Sequence, residues 1–160
     1  PLLDSEGKGI GINTAIIGAG GSVGIGFAVP SNTAKRIIPD LLKYGYVRRP
    51  WLGVEPIPTV YLRRLGLDIP EGMLISRVVR GATAAKAGLR GATRQVVVGR
   101  YQVPWGGDIL THVNQQPVRT MEELAAQIET RKAGEVITLD YIRDNRKESV
   151  KATLVLRPRS

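Results

Sequence analysis

The sequence contains no cysteine, which excludes disulfide bonds and thiolate metal sites. Aromatic residues are sparse at 5%, whereas hydrophobic residues make up 42% of the 160 residues, the level of a globular protein. No apolar run approaches the ~20 residues that a membrane-spanning helix needs. An initial Met and a signal-like segment are also missing, so we expect an internal piece of a longer protein.

Acidic residues are outnumbered, 14 against 23 Lys and Arg, which gives a net charge of +9. A basic protein of this kind can attract nucleic acid or an anionic membrane surface. However, the basic residues are scattered in pairs such as Arg48-Arg49 and Arg63-Arg64, without a basic helix interleaved with aromatics. We therefore interpret the charge as solvated surface and expect no nucleic-acid partner. The nucleic-acid alternative predicts steeply salt-sensitive binding.

The first 45 residues predict short strands followed by a helix. Leu2-Leu3 and residues 10–13 flank a Gly-containing turn, which predicts a β-hairpin whose second strand continues over residues 14–17. A glycine loop over residues 18–24 precedes a further short strand at 25–29. The segment therefore predicts antiparallel β-structure.

A helix is predicted to open at residues 30–32, with Ser31 as the cap of its first-turn amides. Gly45 is placed to end it. Pro39 removes one helical hydrogen bond, so we expect a kink there or a break into two turns. The apolar residues at helical spacing are Ile37, Ile38, Leu41 and Leu42.

From Trp51 onwards the pattern changes to an α+β domain, after a linker at residues 46–50. The longest helix pattern has one apolar face formed by Met121, Leu124, Ala125 and Ile128. The predicted order is a strand led by residues 51–54, a helix at 60–65, a strand at 72–79, a helix at 82–87, a strand at 109–113, a helix at 120–131, and two alternating strands around a turn at Asp144-Asn145.

Several stretches, in this order, resemble the HtrA/Deg family of trypsin-like serine endoproteases. GIGINTAII and GIGFAVPSNTA are similar to the last strands of the protease domain, while WLGV, GMLISRVVRGATAAKAGL, GDILTHVNQQPV and MEELAAQI are similar to a bacterial-type PDZ domain. The resemblance implies a mostly β protein with helices. Its expected parts are the C-terminal strands of a chymotrypsin-like β-barrel with a linker helix (1–45), a linker (46–50) and an α+β PDZ domain (51–158).

The resemblance also implies what the parent protein does. The catalytic serine is expected just upstream of Pro1, so no catalytic residue is expected in this chain, which alone should be inactive. The parent is expected to be an exported, homo-oligomeric endopeptidase of protein quality control, in the periplasm or cell envelope, that cuts unfolded proteins without a cofactor or metal. A non-catalytic PDZ adaptor is the alternative.

The protease-like segment implies a substrate-binding strand. In the family, an extended substrate pairs with the strand after the nucleophile, which corresponds here to Thr14, Ala15 and Ile16. Ile16 and Ile25 match positions that line the pocket for the residue before the cut, and two β-branched walls imply a small apolar pocket. The alternative is that both isoleucines are barrel core.

The PDZ-like segment implies a peptide-binding site, because PDZ domains add a peptide C-terminus as a strand beside a helix. The terminal carboxylate is expected on the amides of Leu52, Gly53 and Val54, where Gly53 permits unusual backbone geometry. Pro56 and Pro58 remove donors from the pairing strand, so pairing is expected to be short. The pocket for the terminal side chain is expected to consist of Leu52, Val54, Met121, Leu124 and Ile128, the last three of which can equally be core.

Residues 90–106 are an insertion where the family has only a short linker. Residues 95–98 and 101–103 around Gly99-Arg100 predict an extra hairpin with Trp105 at its base. An exposed apolar hairpin suits a contact with a neighbouring domain or subunit. Packing on its own domain is an equal alternative.

Two features indicate chemistry that we reject. His112, the single histidine, lies in a predicted strand without a serine and an acid at suitable positions, so a complete catalytic triad is not expected. AIIGAGGSVG resembles a dinucleotide-binding turn, but a strand follows its glycines where that turn requires a helix. We therefore expect no nucleotide.

Overall fold

The computed structural model describes residues 1–16 and 26–158. Two compact units divide the chain, Pro1–Arg48 (unit 1) and Arg49–Ser160 (unit 2). The predicted glycine loop at 18–24 and Ile25 lie outside the described residues. Each unit has its own sheet.

Unit 1 is a small antiparallel sheet followed by one helix. The sheet order is β1-β2-β3, so that the predicted hairpin is confirmed. The Asp4 carboxylate fixes its turn by accepting hydrogen bonds from the amides of Glu6 at 3.0 Å and Lys8 at 2.8 Å. The elements are β1 (Leu2–Leu3), β2 (Gly9–Ile16), β3 (Gly26–Pro30) and α1 (Ser31–Tyr44).

Helix α1 differs from the sequence prediction at Pro30, which precedes the helix, and at Pro39, which lies within it. Pro30 is the N-cap and no side chain caps the helix, so the prediction of a Ser31 cap is wrong: Ser31 is already the first helical residue. The helix also runs through Pro39 without the predicted break. Its last turn is held independently of the bond that Pro39 removes, because the Gly45 amide donates to the Leu41 carbonyl at 2.9 Å.

The residues after α1 fold back onto its end. The Arg48 guanidinium donates to the Asp40 carboxylate, at 2.9 Å from Nη2, and its amide donates to the same carboxylate at 3.0 Å. These hydrogen bonds lower the pKa of Asp40 below its ordinary value. Arg48 also stacks on Tyr44, with 4.1 Å between Cζ and the ring centroid.

Unit 2 is built on one antiparallel sheet of six strands, with helices packed around it. The sheet order is β12-β11-β9-β6-β5, with β10 paired to β9, while β4 pairs with β13 and β7 with β8. The elements are β4 (Pro50–Trp51), β5 (Val54–Pro58), α2 (Thr59–Arg64), β6 (Met73–Val78), α3 (Thr83–Lys86), β7 (Arg94–Val98), β8 (Tyr101–Trp105), β9 (Ile109–Val113), β10 (Gln116–Pro117), α4 (Met121–Glu129), β11 (Val136–Arg143), β12 (Arg146–Thr153) and β13 (Val155–Leu156).

The alternation of side chains along the sheet separates the core from the surface. In β11, Ile137, Leu139 and Tyr141 are buried, whereas the residues between them are not. The same core includes Leu124 and Ile128 of α4. The other core residues of this cluster are Leu52, Met73, Ile75, Ala84, Leu89, Leu110, Val113, Val118, Ala152 and Leu154.

The insertion forms the predicted hairpin and packs on its own unit. Strands β7 and β8 pair with Val98 opposite Tyr101, and Gly99 has φ 62°, the left-handed geometry of a tight hairpin turn. Val103 is buried in a second cluster, which Val96, Val98 and Trp105 also contact. The rest of that cluster comes from Leu62, Ile69, Leu74 and Ile109 of the same unit.

A buried ion pair fastens the start of β9 to the end of β11. The Asp108 carboxylate accepts from Arg143 Nε at 2.8 Å and Nη2 at 2.7 Å. It also accepts from the Arg90 amide at 2.7 Å, which fixes the base of the insertion. The Asp108 side chain is 2% exposed and that of Arg143 16%. The hydrogen bonds to Asp108 raise the pKa of Arg143 above its ordinary value.

We predict that Asp108→Asn destabilises unit 2 by about 3 kcal/mol, because it leaves the largely buried Arg143 without its counter-charge. Both tryptophans, Trp51 and Trp105, lie in unit 2, so tryptophan fluorescence during urea unfolding measures this unit. Glu55→Gln is the matched control, since Glu55 pairs with Arg77 at the surface and its loss should cost under about 1 kcal/mol. Equal losses from both variants would contradict the assigned role of Asp108.

Candidate peptide-binding site

The turn between β4 and β5 is fastened through its carbonyl groups to a single neighbouring segment, residues 79–84. Three successive carbonyls are engaged there by one hydroxyl and two amides. The hydrogen bonds run from Thr83 Oγ1 to the Trp51 carbonyl (2.7 Å), from the Ala84 amide to the Leu52 carbonyl (2.9 Å), and from the Val79 amide to the Gly53 carbonyl (2.8 Å).

The amides of the same turn are directed away from this segment. In a trans peptide the N–H points opposite to the C=O, and none of the described peptide bonds is cis. The amides of Leu52, Gly53 and Val54 therefore point to the side opposite residues 79–84. Within residues 1–16 and 26–158, no protein group accepts from the amides of Leu52 or Gly53. Successive free amides of this kind form a concave site for an anion.

Gly53 is required by two independent features of the turn. Its φ of 74° is a left-handed conformation that residues with a side chain rarely adopt. A Cβ at this position would also lie 2.0 Å from the Ala82 Cβ. The close approach of Gly53 to Ala82 thus allows the carbonyls to reach residues 79–84.

Trp51 adds an unsatisfied donor next to the turn. Its Nε1 is buried and has no hydrogen-bond partner within the described chain. The adjoining ring atom Cε2 lies 3.6 Å from the position that a Cβ on Gly53 would take. This position is on the side of Gly53 that faces Ala82, opposite the free amides, so the unpaired Trp51 donor does not add to the anion site.

Strand β5 is an edge of the sheet and has few donors to offer. Ladder bonds alternate along an antiparallel strand. The Val79 amide donates to the Gly53 carbonyl at one end of β5, and the Thr59 amide donates to the Gly72 carbonyl at the other. Together with the bulge after Glu55, these bonds set which residues of β5 pair with β6. The main-chain groups of Val54, Pro56 and Pro58 therefore face the open edge. Of these, only Val54 has an N–H. Since the Val54 amide already belongs to the turn, an added strand meets only carbonyl acceptors beyond it.

Helix α4 lies next to β4 and supplies the apolar side of the site. It begins at Met121 because of a capping box: Thr120 Oγ1 accepts from the Glu123 amide at 3.2 Å, and the Glu123 carboxylate accepts from the Thr120 amide at 3.3 Å. Leu124 and Ile128 share one cluster with Leu52, and Val54 packs against it.

The structure therefore brings three of the five predicted pocket residues, Leu52, Leu124 and Ile128, together in one core cluster, and Val54 packs against it. Met121 is not a member of this cluster and is 47% exposed at the first position of α4. The side chains of Leu52, Leu124 and Ile128 are buried, so they can form only the floor of a pocket. Their role in peptide binding stays a prediction.

The predicted substrate-binding strand is the second half of β2. Thr14 and Ala15 are exposed, and Ala15 pairs with Phe27 of β3. Strand β1 pairs only with residues 9–11 of β2, so no described strand covers the other edge of β2 at Thr14 and Ala15. The backbone of Ile16 continues this strand, whereas Ile25 lies outside the described residues. The proposed pocket between the two isoleucines stays a prediction.

The strand pairing brings an acid next to His112 and a serine next to that acid. His112 is half-buried in β9 opposite Asp140 of β11, and Asp140 is opposite Ser149 of β12. Only the strand pairing brings these distant residues together, so the sequence order gives no sign of it. The Ser149 hydroxyl donates to Asp140 at 2.6 Å, and the contact of His112 is Thr111, 3.1 Å from Nδ1 to Oγ1. This order differs from that of a catalytic triad, in which histidine lies between serine and acid.

Among the described residues, no group of three or more His, Asp or Glu is arranged to hold a metal ion. None of the described helices is both long and apolar enough to span a bilayer.

The model of the PDZ domain family matches residues 23–154. The chain belongs to the PDZ domain family. It is also related to the HtrA/Deg serine endoproteases, so the family resemblance noted in the sequence is confirmed.

The relatives cover nearly the whole chain. A periplasmic serine endoprotease of DegP-like type from Brucella suis is 35% identical over 99% of this chain and 28% of its own length. The periplasmic pH-dependent serine endoprotease DegQ of Escherichia coli is 35% identical over 96% of this chain and 31% of its own length. The chain thus spans about a third of the curated relatives that it matches.

A solved structure of the HtrA-type protease AlgW with a decapeptide has the same fold. It superposes with a TM-score of 0.71 and 29% identity, over 98% of this chain and 45% of AlgW.

We predict that Gly53→Ala destabilises unit 2 by about 3 kcal/mol or more, because the new Cβ meets Ala82 in addition to the cost of a positive φ. Gly81→Ala is the control: it has a φ of 79° but nothing within 4 Å of the new Cβ, so only the backbone cost of about 1 kcal/mol is expected.

A double-mutant cycle isolates the contact. If the contact between the new Cβ and Ala82 causes the loss of stability, adding Ala82→Gly to Gly53→Ala recovers part of it, measured by urea unfolding followed by tryptophan fluorescence. Strictly additive effects of the two substitutions would contradict this contact as the cause.

Proposed function

We propose that unit 2 binds the C-terminal carboxylate of apolar peptides on the amides of Leu52, Gly53 and Val54. The observation that carries this proposal is the anchoring of all three turn carbonyls on residues 79–84, which leaves the opposite amides without protein acceptors. A carboxylate with several amide donors gains charge-assisted hydrogen bonds.

The proposed ligand is a chain end with an apolar last residue. The floor formed by Leu52, Leu124 and Ile128 is hydrophobic, and the exposed Met121 can close over a bound side chain. The open edge of β5 adds few main-chain bonds because of Pro56 and Pro58. Affinity should therefore depend strongly on the terminal carboxylate.

We further propose that this chain is the C-terminal part of an exported serine endopeptidase that cuts unfolded proteins. The relatives named as periplasmic serine endoproteases support it. In this proposal unit 1 is the end of the protease barrel, β2 holds substrate at Thr14–Ile16, and this chain alone cannot hydrolyse peptides. The arrangement of Ser149, Asp140 and His112, which lacks the order of a triad, is consistent with that.

The surface of unit 1 supports its assignment as part of a larger barrel. Ala34 is its one buried apolar residue within the described part of the unit. Leu42 is 84% exposed, and such apolar exposure normally requires a covering partner. The other exposed large apolar residues are Leu2, Leu3, Ile10, Ile12, Phe27, Ile38 and Leu41.

A non-catalytic PDZ adaptor is the alternative, because the family model covers most of this chain and the turn alone suffices for binding. The segment that precedes Pro1 in the parent separates the two. Gly-Asn-Ser-Gly-Gly there, with casein cleavage that is lost on replacing its serine, supports the protease. Another residue at the serine position and no cleavage would support the adaptor.

We predict that peptides ending in a free Val or Leu carboxylate bind saturably, and that C-terminal amidation weakens binding by about tenfold or more. The reason is that amidation removes the charge that the free amides receive. Isothermal titration calorimetry with the two peptide forms measures the ratio. Equal affinities for acid and amide would overturn the proposed turn. This comparison leaves the protein unchanged, whereas substitution of Gly53 would disturb the turn itself.

Variants of α4 test the apolar side of the site. Met121→Ser should weaken the free-acid peptide about threefold to tenfold without loss of stability, because Met121 is half exposed. Ala126→Ser, at another exposed position of the same helix, should leave affinity unchanged. An unchanged affinity for Met121→Ser would remove this residue from the pocket.

A further inference from the structure

A cavity of about 560 Å³ opens on unit 2 at a different place from the peptide-binding turn. Its walls come from β9, β11 and β12, together with Pro70 and Pro117, and none of the turn residues 52–54 lines it. Its lining combines charged and hydroxyl side chains with apolar surface, so it can offer a ligand both polar and apolar contacts.

The polar floor of the cavity is a row of residues on adjacent strands. Asp140 lies between His112 and Ser149 in the strand register. Its neighbours Leu139 and Tyr141 point into the core, so Asp140 projects from the opposite face of the sheet. The Ser149 hydroxyl donates to Asp140 Oδ1 at 2.6 Å, and Thr111 Oγ1 donates to the Asp140 carbonyl at 3.0 Å, which fixes this part of the row.

Among the three carboxylates that line the cavity, Asp140 alone has no ion pair with a described residue. Glu71 pairs with Arg119 at 3.1 Å. Glu148 accepts from the Tyr141 hydroxyl at 2.8 Å and lies 3.7 Å from Arg143. Within the described chain, no Lys, Arg or His nitrogen lies within ion-pair distance of Asp140, whose Oδ1 has the Ser149 hydroxyl as its partner.

The remaining walls are suited to an aliphatic stem. Pro70, Pro117 and Ile142 supply apolar surface around the row. Lys147 lies at the exposed rim, and its ammonium forms no ion pair with a described residue. Lys147 pairs with Ile142 and lies two residues from Ser149 on β12, so its ammonium can reach Asp140 and compete with a bound cation.

We propose that this cavity binds a primary ammonium group on an aliphatic stem, such as the side chain of a lysine in a polypeptide. The ammonium would be held by Asp140 Oδ2 and by the oxygens of Ser149 and Thr111. An ammonium fits better than a guanidinium, because Oδ1 is engaged by Ser149 and only one carboxylate oxygen remains, whereas guanidinium groups favour a bidentate carboxylate. The apolar walls receive the methylene stem.

The test uses the 160-residue chain and N-acetyl-lysine methylamide, with N-acetyl-norleucine methylamide as the neutral probe of the same stem. In ¹⁵N–¹H NMR titrations, the lysine probe should saturate shifts of the Thr111, His112 and Ser149 amides, whereas the norleucine probe should bind at least about tenfold more weakly. Shifts confined to residues 52–54, or equal binding of both probes, would overturn the proposal.

Variants of the β11–β12 hairpin make the test specific. Asp140→Asn keeps the acceptor for Ser149 but removes the charge, so it should weaken the lysine probe about tenfold or more. Asp144→Asn removes the same charge from the turn of the hairpin, outside the cavity, at a φ of 47° that Asn tolerates, and should leave binding unchanged.

Lys147→Gln tests whether the Lys147 ammonium competes with the bound cation. Removal of the competing ammonium should strengthen the lysine probe about twofold or more. Weaker binding of the lysine probe by Lys147→Gln would mean that Lys147 supports the site, and the proposed ammonium site beside Asp140 would be wrong. Failure of this site leaves the carboxylate site at residues 52–54 untouched, since the two are measured by different amides.

Discussion

The structure depends on one arrangement of hydrogen bonds, in which the carbonyls of Trp51, Leu52 and Gly53 are all fastened to residues 79–84. Because a trans peptide directs its N–H opposite to its C=O, fixing the carbonyls also fixes the direction of the amides. The same contacts join the turn to α3 and to the end of β6. The proposed anion site is thus a consequence of how the turn is held, and does not need a charged side chain of its own.

The sheet that supports this turn is also fastened by Asp108, which directly precedes β9. Its carboxylate joins Arg143 at the end of β11 to the backbone of Arg90, and the Arg90 carbonyl accepts from the Asp108 amide at 3.0 Å. The 90–106 insertion therefore leaves and re-enters the domain at one fixed point. Its apolar side chains fill a separate cluster, so the insertion adds surface without displacing the main core.

The sequence was sufficient to predict those elements that are determined by neighbouring residues. The alternation in β11 and the Gly99-Arg100 turn each follow from neighbouring residues, and the structure has them. It was insufficient where the cause lies elsewhere in the fold. Pro39 does not break α1 because the last turn is held by other groups. The row of His112, Asp140 and Ser149 exists only through the register of three strands, and no sequence spacing encodes it.

The register of β5 against β6 explains why the proposed peptide site should prefer chain ends. A site that recognises internal segments by strand addition needs alternating donors and acceptors along an open edge. Strand β5 directs Pro56 and Pro58 to that edge, where neither has an N–H to donate. An internal segment would gain little beyond Val54. A C-terminal carboxylate gains the free amides of the turn, so the placement of two prolines selects against the competing mode of binding.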